Sequence, residues 1–325
     1  MIAALTSMRR SRRPGRGRGS MLAVMMLAVA LLPGWAMAHR DGSACAGAAA
    51  LPNHCAGAES GKFVPTAADA EADHVGDGIA ENCWTPLPFT PPFKTCTFGR
   101  THAKYTVALV GNSHSAQWLM PLRRWADQYD LRIVTYLIPK CFAIDEVVKI
   151  SGDTKTNQGC YAWGQWAQQE TNKLKPDLIV TSERTYKKPV KDEGGGVYST
   201  WKAGYERYLK GWTSQGRHVL IIRDNPVPGT PVPPCLAKHP HKLSTCAGDR
   251  STWLKPDSLV AAADSLDNRL IRTVDLSDHM CTDSTCPGVI GGICVYRDHS
   301  HMTATWIQSL QAYLEAPFEE SLHHN

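Results

Sequence analysis

From Tyr105 onward the chain alternates short apolar runs with amphipathic stretches, and this alternation restricts the folds open to it. Tyr105–Val110 (YTVALV), Arg132–Ile138 (RIVTYLI), Asp177–Thr181 (DLIVT), His218–Arg223 (HVLIIR) and Leu270–Val274 read as strands. Ser115–Tyr129, Tyr161–Lys173, Thr200–Ser214 and part of Leu254–Leu266 read as the helices between them, and Thr303–Leu314 as the closing helix. Strands this short and apolar on both faces need cover on both sides, and parallel strands need helical crossovers to supply it. The expected fold is therefore α/β, a three-layer α/β/α arrangement around a parallel sheet. Such sheets carry their sites at the carboxyl ends of the strands. Attention goes to whatever follows Val110, Ile138, Thr181, Arg223 and Val274.

The length of 325 residues suits one large domain or two small ones, and 43% hydrophobic with 20% charged residues excludes a disordered chain or a coiled coil. A polytopic membrane protein is excluded because only one stretch approaches membrane length. The net charge of +5 comes from the N-terminal tip. Residues 1–38 hold six arginines and no acids, leaving 29 basic against 30 acidic residues for the rest. Charge therefore gives no support to a nucleic-acid partner.

That tip reads as a secretory leader: arginines, the apolar run Met21–Leu32, then Ala36-Met37-Ala38 as a small-x-small cleavage site, which would start the mature chain at His39. A membrane anchor is the alternative, but a twelve-residue apolar core is short for a span of ~20 residues. All eleven cysteines follow the leader and fall into five local pairs 5 to 19 positions apart, with Cys294 left over. Export makes disulfides the expectation. No C-x2-C pair occurs to suggest zinc. Connectivity does not follow from sequence; nearest-neighbour pairing would give Cys45–Cys55, Cys83–Cys96, Cys141–Cys160, Cys235–Cys246 and Cys281–Cys286. Residues 39–100, rich in Ala, Gly, Pro and Cys and without periodicity, are expected to form a disulfide-stapled N-terminal extension over the main domain, residues 101–325.

Two fragments carry chemistry. The first strand runs into Gly111-Asn112-Ser113-His114 and then a helix. A serine on a strand-to-helix turn exposes its hydroxyl where unpaired helix N–H groups favour an oxyanion; a plain helix N-cap is the other reading. Near the C-terminus stands Asp298-His299-Ser300-His301, after the apolar stretch Ile293–Tyr296. An Asp three positions before a His can reach its Nδ1, leaving Nε2 free to take a proton from serine. Ser113, Asp298 and His301 together form a chemically complete set that calls for no metal or cofactor.

The serine is followed by His114-Ser115 rather than x-Gly, and the acid and base share one turn, unlike the α/β-hydrolase pattern. The chain instead resembles the SGNH (GDSL-type) hydrolases, and most of all the SGNH domain of bacterial acyltransferase-3 proteins, which O-acylate surface glycans. The likeness rests on Val107–Leu119 (VALVGNSHSAQWL), Pro139-Lys140-Cys141, Ile222–Leu236 (IRDNPVPGTPVPPCL), Cys281-x4-Cys286-Pro287 and Tyr296–Thr303 (YRDHSHMT). It implies a flavodoxin-like sheet and an extracytoplasmic serine acyltransferase or esterase, with Ser113 as nucleophile and Asp298 and His301 as acid and base. It also implies a carbohydrate acceptor or acylated glycan as substrate and a separate membrane acyltransferase-3 protein as acyl donor. A non-catalytic glycan-binding protein on the same scaffold is the other function the sequence allows.

The sequence departs from that family at three places, one being that no second-block glycine follows the second strand. Asn112 stands where G-D-S has its Asp, and Ser182-Glu183-Arg184 follows the third strand in place of G-x-N-D. The oxyanion hole would then rest mainly on backbone around Ser113, with Arg184 a further candidate donor or else a surface ion pair. Losing one such donor typically costs ~2.7–4 kcal/mol of transition-state stabilisation. His114 is a candidate to line the pocket or to pack beneath the turn. Asp224 and Asn225, ending the fourth strand, are candidates for substrate contact or for an ordinary turn. Asp275, Asp278 and His279 read as a loop beside Cys281, and His239, His241, His323 and His324 as solvent-exposed.

Overall fold

The structure, a computed structural model, describes residues 44–55, 61–74, 82–185, 188–189 and 196–323; the leader and His324 lie outside them. Six strands form one sheet: β1 (Cys96–Gly99), β2 (Tyr105–Gly111), β3 (Leu131–Leu137), β4 (Leu178–Ser182), β5 (Val219–Ile222) and β6 (Ile271–Val274). Their order is β1-β3-β2-β4-β5-β6. All neighbouring pairs are parallel except β1 with β3. The parallel strands alone run second, first, third, fourth, fifth, which is the flavodoxin-like order. The direction of winding reverses between β2 and β4, so a crevice opens beyond their carboxyl ends.

Period-two patterning explains the two cores. In β2, Val107 and Leu109 face one cluster with Trp125, Trp306 and Leu310, while Ala108 and Val110 face the other with Trp163, Tyr208 and Trp212. The first layer is made by α1 (Ser113–Ala116), α2 (Leu119–Trp125) and the last helix; the second by α3 (Thr154–Leu174), α4 (Val197–Thr213) and α6 (Ser258–Leu266), which follows the short α5 (Val232–Lys238). The last helix, α7, spans Ala304–His323.

The helix expected at Ser115–Tyr129 is two helices. Pro121 has no N–H to give to Gln117, so α1 and α2 meet at a corner there. Helix α3 begins seven residues ahead of Tyr161 because Asp153 caps it, accepting from Lys155 N–H and Thr156 N–H. Helix α7 runs past Leu314, through Pro317, because Phe318 stacks on Trp125 with ring centroids 4.9 Å apart.

The five local disulfides are present, and Cys294 is a buried free thiol. From the segment read as an extension, β1 joins the sheet as its antiparallel edge. The rest of that segment docks on the C-terminal third. Gly47 N–H donates to Gly291 O, and Val64 bridges Ile293. Asp73 accepts from the first N–H groups of α7, at Ala304 and Thr305.

Burial pushes the Cys294 thiol up to about 12, and a thiol held protonated is a poor nucleophile. The native, unreduced protein should therefore leave Ellman's reagent uncoloured. In denaturant it should release one equivalent per chain; colour from the native protein would show that a disulfide is open or that Cys294 is accessible.

Candidate active site

Strand β2 stops at Gly111, whose φ of +134° is open to glycine and strained for other residues. Asn112 then turns the chain into α1: its Oδ1 accepts from His114 N–H at 2.9 Å, the capping bond of that helix. Its Nδ2 donates to Glu183 Oε2 at 2.5 Å. Ser113 is the first residue of α1, a position whose own N–H has no intrahelical partner. Ser115 ties the turn to the sheet: its hydroxyl lies 2.6 Å from Val110 O and 2.8 Å from Ser182 O and accepts from Ser182 N–H.

The second fragment is a closed turn. Asp298 Oδ1 accepts from Ser300 N–H and His301 N–H, both at 2.7 Å. Its Oδ2 lies 2.7 Å from His301 Nδ1, and His301 Nε2 lies 2.8 Å from Ser113 Oγ. Burial disfavours the ionised form of Asp298, but the hydrogen bonds and charge it shares with His301 outweigh burial and hold its carboxyl well below the usual range. For His301 burial is the largest influence and lowers its pKa below 6.5; Asp298 opposes this, and His114 and Arg297 add to it. The imidazole is therefore neutral at neutral pH, with Nδ1–H directed at Asp298 and the Nε2 lone pair at the serine hydroxyl.

Two buried amides join the fragments. Gln117 Oε1 accepts from Met302 N–H at 2.7 Å, while its Nε2 reaches His114 O and Asn225 Oδ1. Asn225 Nδ2 donates to Ser300 O at 2.9 Å. The proline-rich loop closes on the same turn, with Gly229 N–H donating to His299 O. Asn225, considered from sequence as a turn former or substrate contact, thus holds the Asp298–His301 turn. Gln117 went unnoticed in sequence; its one signal is an amide beside Trp118 and Leu119 on an apolar helix face.

Behind the turn lie buried acids. Glu183 accepts from Asn112 and from Ala143 N–H at 2.8 Å. Burial raises its pKa well above the usual value; the backbone N–H groups of Ala143 and Asn112 oppose the rise, and Asp224 and Asp257 add to it. Asp224 does not open on a cleft. It is buried, 2.5 Å from His114 Nδ1, and accepts from Thr185. His114 is fully buried beneath the turn. Arg184 follows Glu183 with its Nε buried and unpartnered, and it makes no ion pair among the described residues. Asp275 pairs with Arg223, Asp278 with Arg250, and His279 with Ala48 O, all away from Ser113. His239 and His241 are exposed, and the described residues hold no metal-binding group of three or more ligands.

The sequence model of the family described as "SGNH domain (fused to AT3 domains)" matches residues 82–316. The chain belongs to this SGNH family. Among solved structures it is similar to the periplasmic domain of a lipopolysaccharide acetyltransferase of Salmonella ser. Paratyphi A, with TM-score 0.50, 12% identity, and 66% of this chain and 84% of that one covered. It is also similar to a carbohydrate acetylesterase family member from Sinorhizobium meliloti, with TM-score 0.40, 15% identity, and 67% and 99% covered. No curated protein sequence matches it. The family match starts at residue 82, ahead of β1, so the SGNH domain takes in the edge strand along with the parallel ones.

In this SGNH chain Asn112 is hydrogen-bonded to the buried carboxyl group of Glu183. Asn112→Asp would remove the amide donor to Glu183 and set two carboxyls against each other in a buried site, at a cost in stability once both would ionise. The introduced carboxyl, being buried, would have its folded-state pKa raised, so the penalty appears above its unfolded pKa and grows as pH rises. The melting temperature of Asn112→Asp relative to the parent should fall further at pH 8 than at pH 5. An equal gap at both pH values would mean that the added carboxyl is not repelled.

Proposed function

We propose that the protein is an exported serine acyl-transfer enzyme that moves O-acyl groups on cell-envelope carbohydrate. The observation that carries this reading is the continuous chain Ser113 Oγ–His301 Nε2 at 2.8 Å and His301 Nδ1–Asp298 Oδ2 at 2.7 Å, at the carboxyl end of β2. Ser113 Oγ attacks the acyl carbonyl while its proton passes to His301 Nε2. Asp298 holds the imidazole in the required tautomer and stabilises the imidazolium. The Ser113 N–H faces the developing oxyanion. His301 then protonates the leaving oxygen, giving an acyl-Ser113 enzyme. A sugar hydroxyl, or water, gives its proton to His301 and takes the acyl group, restoring the Ser113 hydroxyl.

The leader read from residues 1–38 and the five disulfides support export. The family description, with its fusion to AT3 domains, supports a membrane acyltransferase as acyl donor. The periplasmic lipopolysaccharide acetyltransferase among the similar structures names a carbohydrate acceptor for that protein, and the same class is proposed here.

Ser113→Ala and His301→Ala should each lower turnover of p-nitrophenyl acetate by about 10³-fold or more, and the double variant should be scarcely worse, because triad members act as a unit. A fluorophosphonate probe should label Ser113. An unlabelled, inactive parent protein would favour the glycan-binding reading instead.

His301 acts as a base only when neutral, and its folded pKa lies below 6.5. Activity should therefore rise with pH along an acid limb whose midpoint is under 6.5 and stay level above it. A midpoint above 6.5 in kcat/KM would contradict the burial of His301 described here.

A further inference from the structure

The site contains a second histidine–carboxyl pair that the chemistry above leaves unused. His114 Nδ1 lies 2.5 Å from Asp224 Oδ1. Asp224 Oδ2 accepts from Thr185 N–H at 2.9 Å and from Thr185 Oγ1 at 3.1 Å. The Asp224 N–H in turn donates to Asp257 Oδ2 at 3.1 Å. Because the Asp224 oxygens act as acceptors, the proton of that first contact sits on His114 Nδ1. Nε2 is buried and, among the described residues, without a hydrogen-bond partner, a state that calls for a reason.

The ring's position supplies the reason. Its centroid is 4.9 Å from that of His301, with the planes inclined at 50°. The His114 backbone is pinned as well, its N–H on Asn112 Oδ1 and its carbonyl on Gln117 Nε2. A ring fixed by its Nδ1, its N–H and its C=O forms a rigid wall for a neighbour that has to stay aimed. His301 needs such a wall once Ser113 is acylated. Its Nε2 then loses the hydroxyl proton it faced, and Asp298 alone would leave the imidazole free to swing away from the incoming acceptor.

We propose that His114, clamped by Asp224, is a positioning residue for His301, holding its imidazole on line through the acyl-enzyme stage. This rests on the reading of Ser113, His301 and Asp298 as the reacting triad. The same contact has an electrostatic side, since His114 adds to the lowering of the His301 pKa that burial begins. The other groups facing the two rings are Asp298 and Arg297 on the triad turn, with His299 beside Asp298. Asp224 lies at the end of β5, with Asp257 behind it, and Glu183 is reached through Asn112.

The test uses the full chain. His114→Gln keeps an amide donor for Asp224 and removes the ring. Its expected effect is a loss of about tenfold or more in kcat with KM changed less than about twofold, as for a misaimed catalytic group. Its acid limb should move to higher pH. The double variant His114→Phe/Asp224→Leu restores a ring without leaving a carboxyl unpaired, and it should recover part of kcat but not the parental pH midpoint. In the parent protein, NMR titration of the histidine Cε1–H signals should show the His114 resonance shifting at the His301 midpoint. A folded His114→Gln protein with parental kcat and pH midpoint would overturn the proposal. So would a His114 resonance indifferent to His301 titration, which can be read even if the variants do not fold. Ser113→Ala run alongside separates the two readings: full turnover there would bring down the triad and this proposal together, whereas its loss beside an unperturbed His114→Gln would bring down only the positioning role.

Discussion

At Gly111 a Cβ would stand 2.6 Å from the Ser115 hydroxyl and 2.9 Å from the Glu183 carboxyl. The absence of that one carbon lets β2 end in a turn tight enough to bring α1 onto the sheet edge. Ser115 then stitches β2 to β4, and Asn112 reaches Glu183, which follows β4. Ser113 projects between these two anchored neighbours. Any side chain at position 111 would push against the hydroxyl and the carboxyl that hold the turn, so the placement of Ser113 depends on this contact first.

Ser113 and His301, in hydrogen-bond contact, are 188 residues apart in the chain. Buried polar bonds join the two fragments. Gln117 and Asn225 span from α1 to the Asp298–His301 turn with carbonyl, amide and N–H groups shielded from water. Hydrogen bonds in such surroundings are strong when complete and costly when broken, which gives the turn one well-defined position. The N-terminal segment braces the same turn from outside. Asp73 accepts from the first N–H groups of α7, and residues 47 and 64 bond to the strand region just ahead of Asp298.

Electrostatics divide the site into two zones. Around Ser113, Asp298 is held ionised and His301 neutral at neutral pH, the states that the proposed proton transfer requires. Beneath it, Glu183 and Asp257 are pushed upward, the latter to about 6, with burial as the main cause in both. Acids kept from ionising freely there limit the negative charge stored beneath the Ser113 turn, while remaining hydrogen-bond partners for it.

Much was legible in the sequence because it depends on local spacing. Short continuous apolar runs made the parallel strands, and an Asp three residues before a His made the turn that orients it; the disulfides join nearest neighbours, a pairing that spacing alone left open. Other features were set by partners distant in the chain. β1 pairs antiparallel with the edge of β3; its alternation of Cys96 and Phe98 with Thr97 and Gly99 runs only four residues, too short to stand out in an aperiodic segment. α7 continues through Pro317 because Phe318 has Trp125 to stack on. Glu183, Gln117 and the His114–Asp224 pair took their roles only when β2, β4, β5 and the C-terminal turn converged at one end of the sheet. A polar side chain's meaning lies in which donor or acceptor it meets once water is excluded. Sequence periodicity determines which residues are buried; the tertiary structure alone decides which buried polar groups face one another.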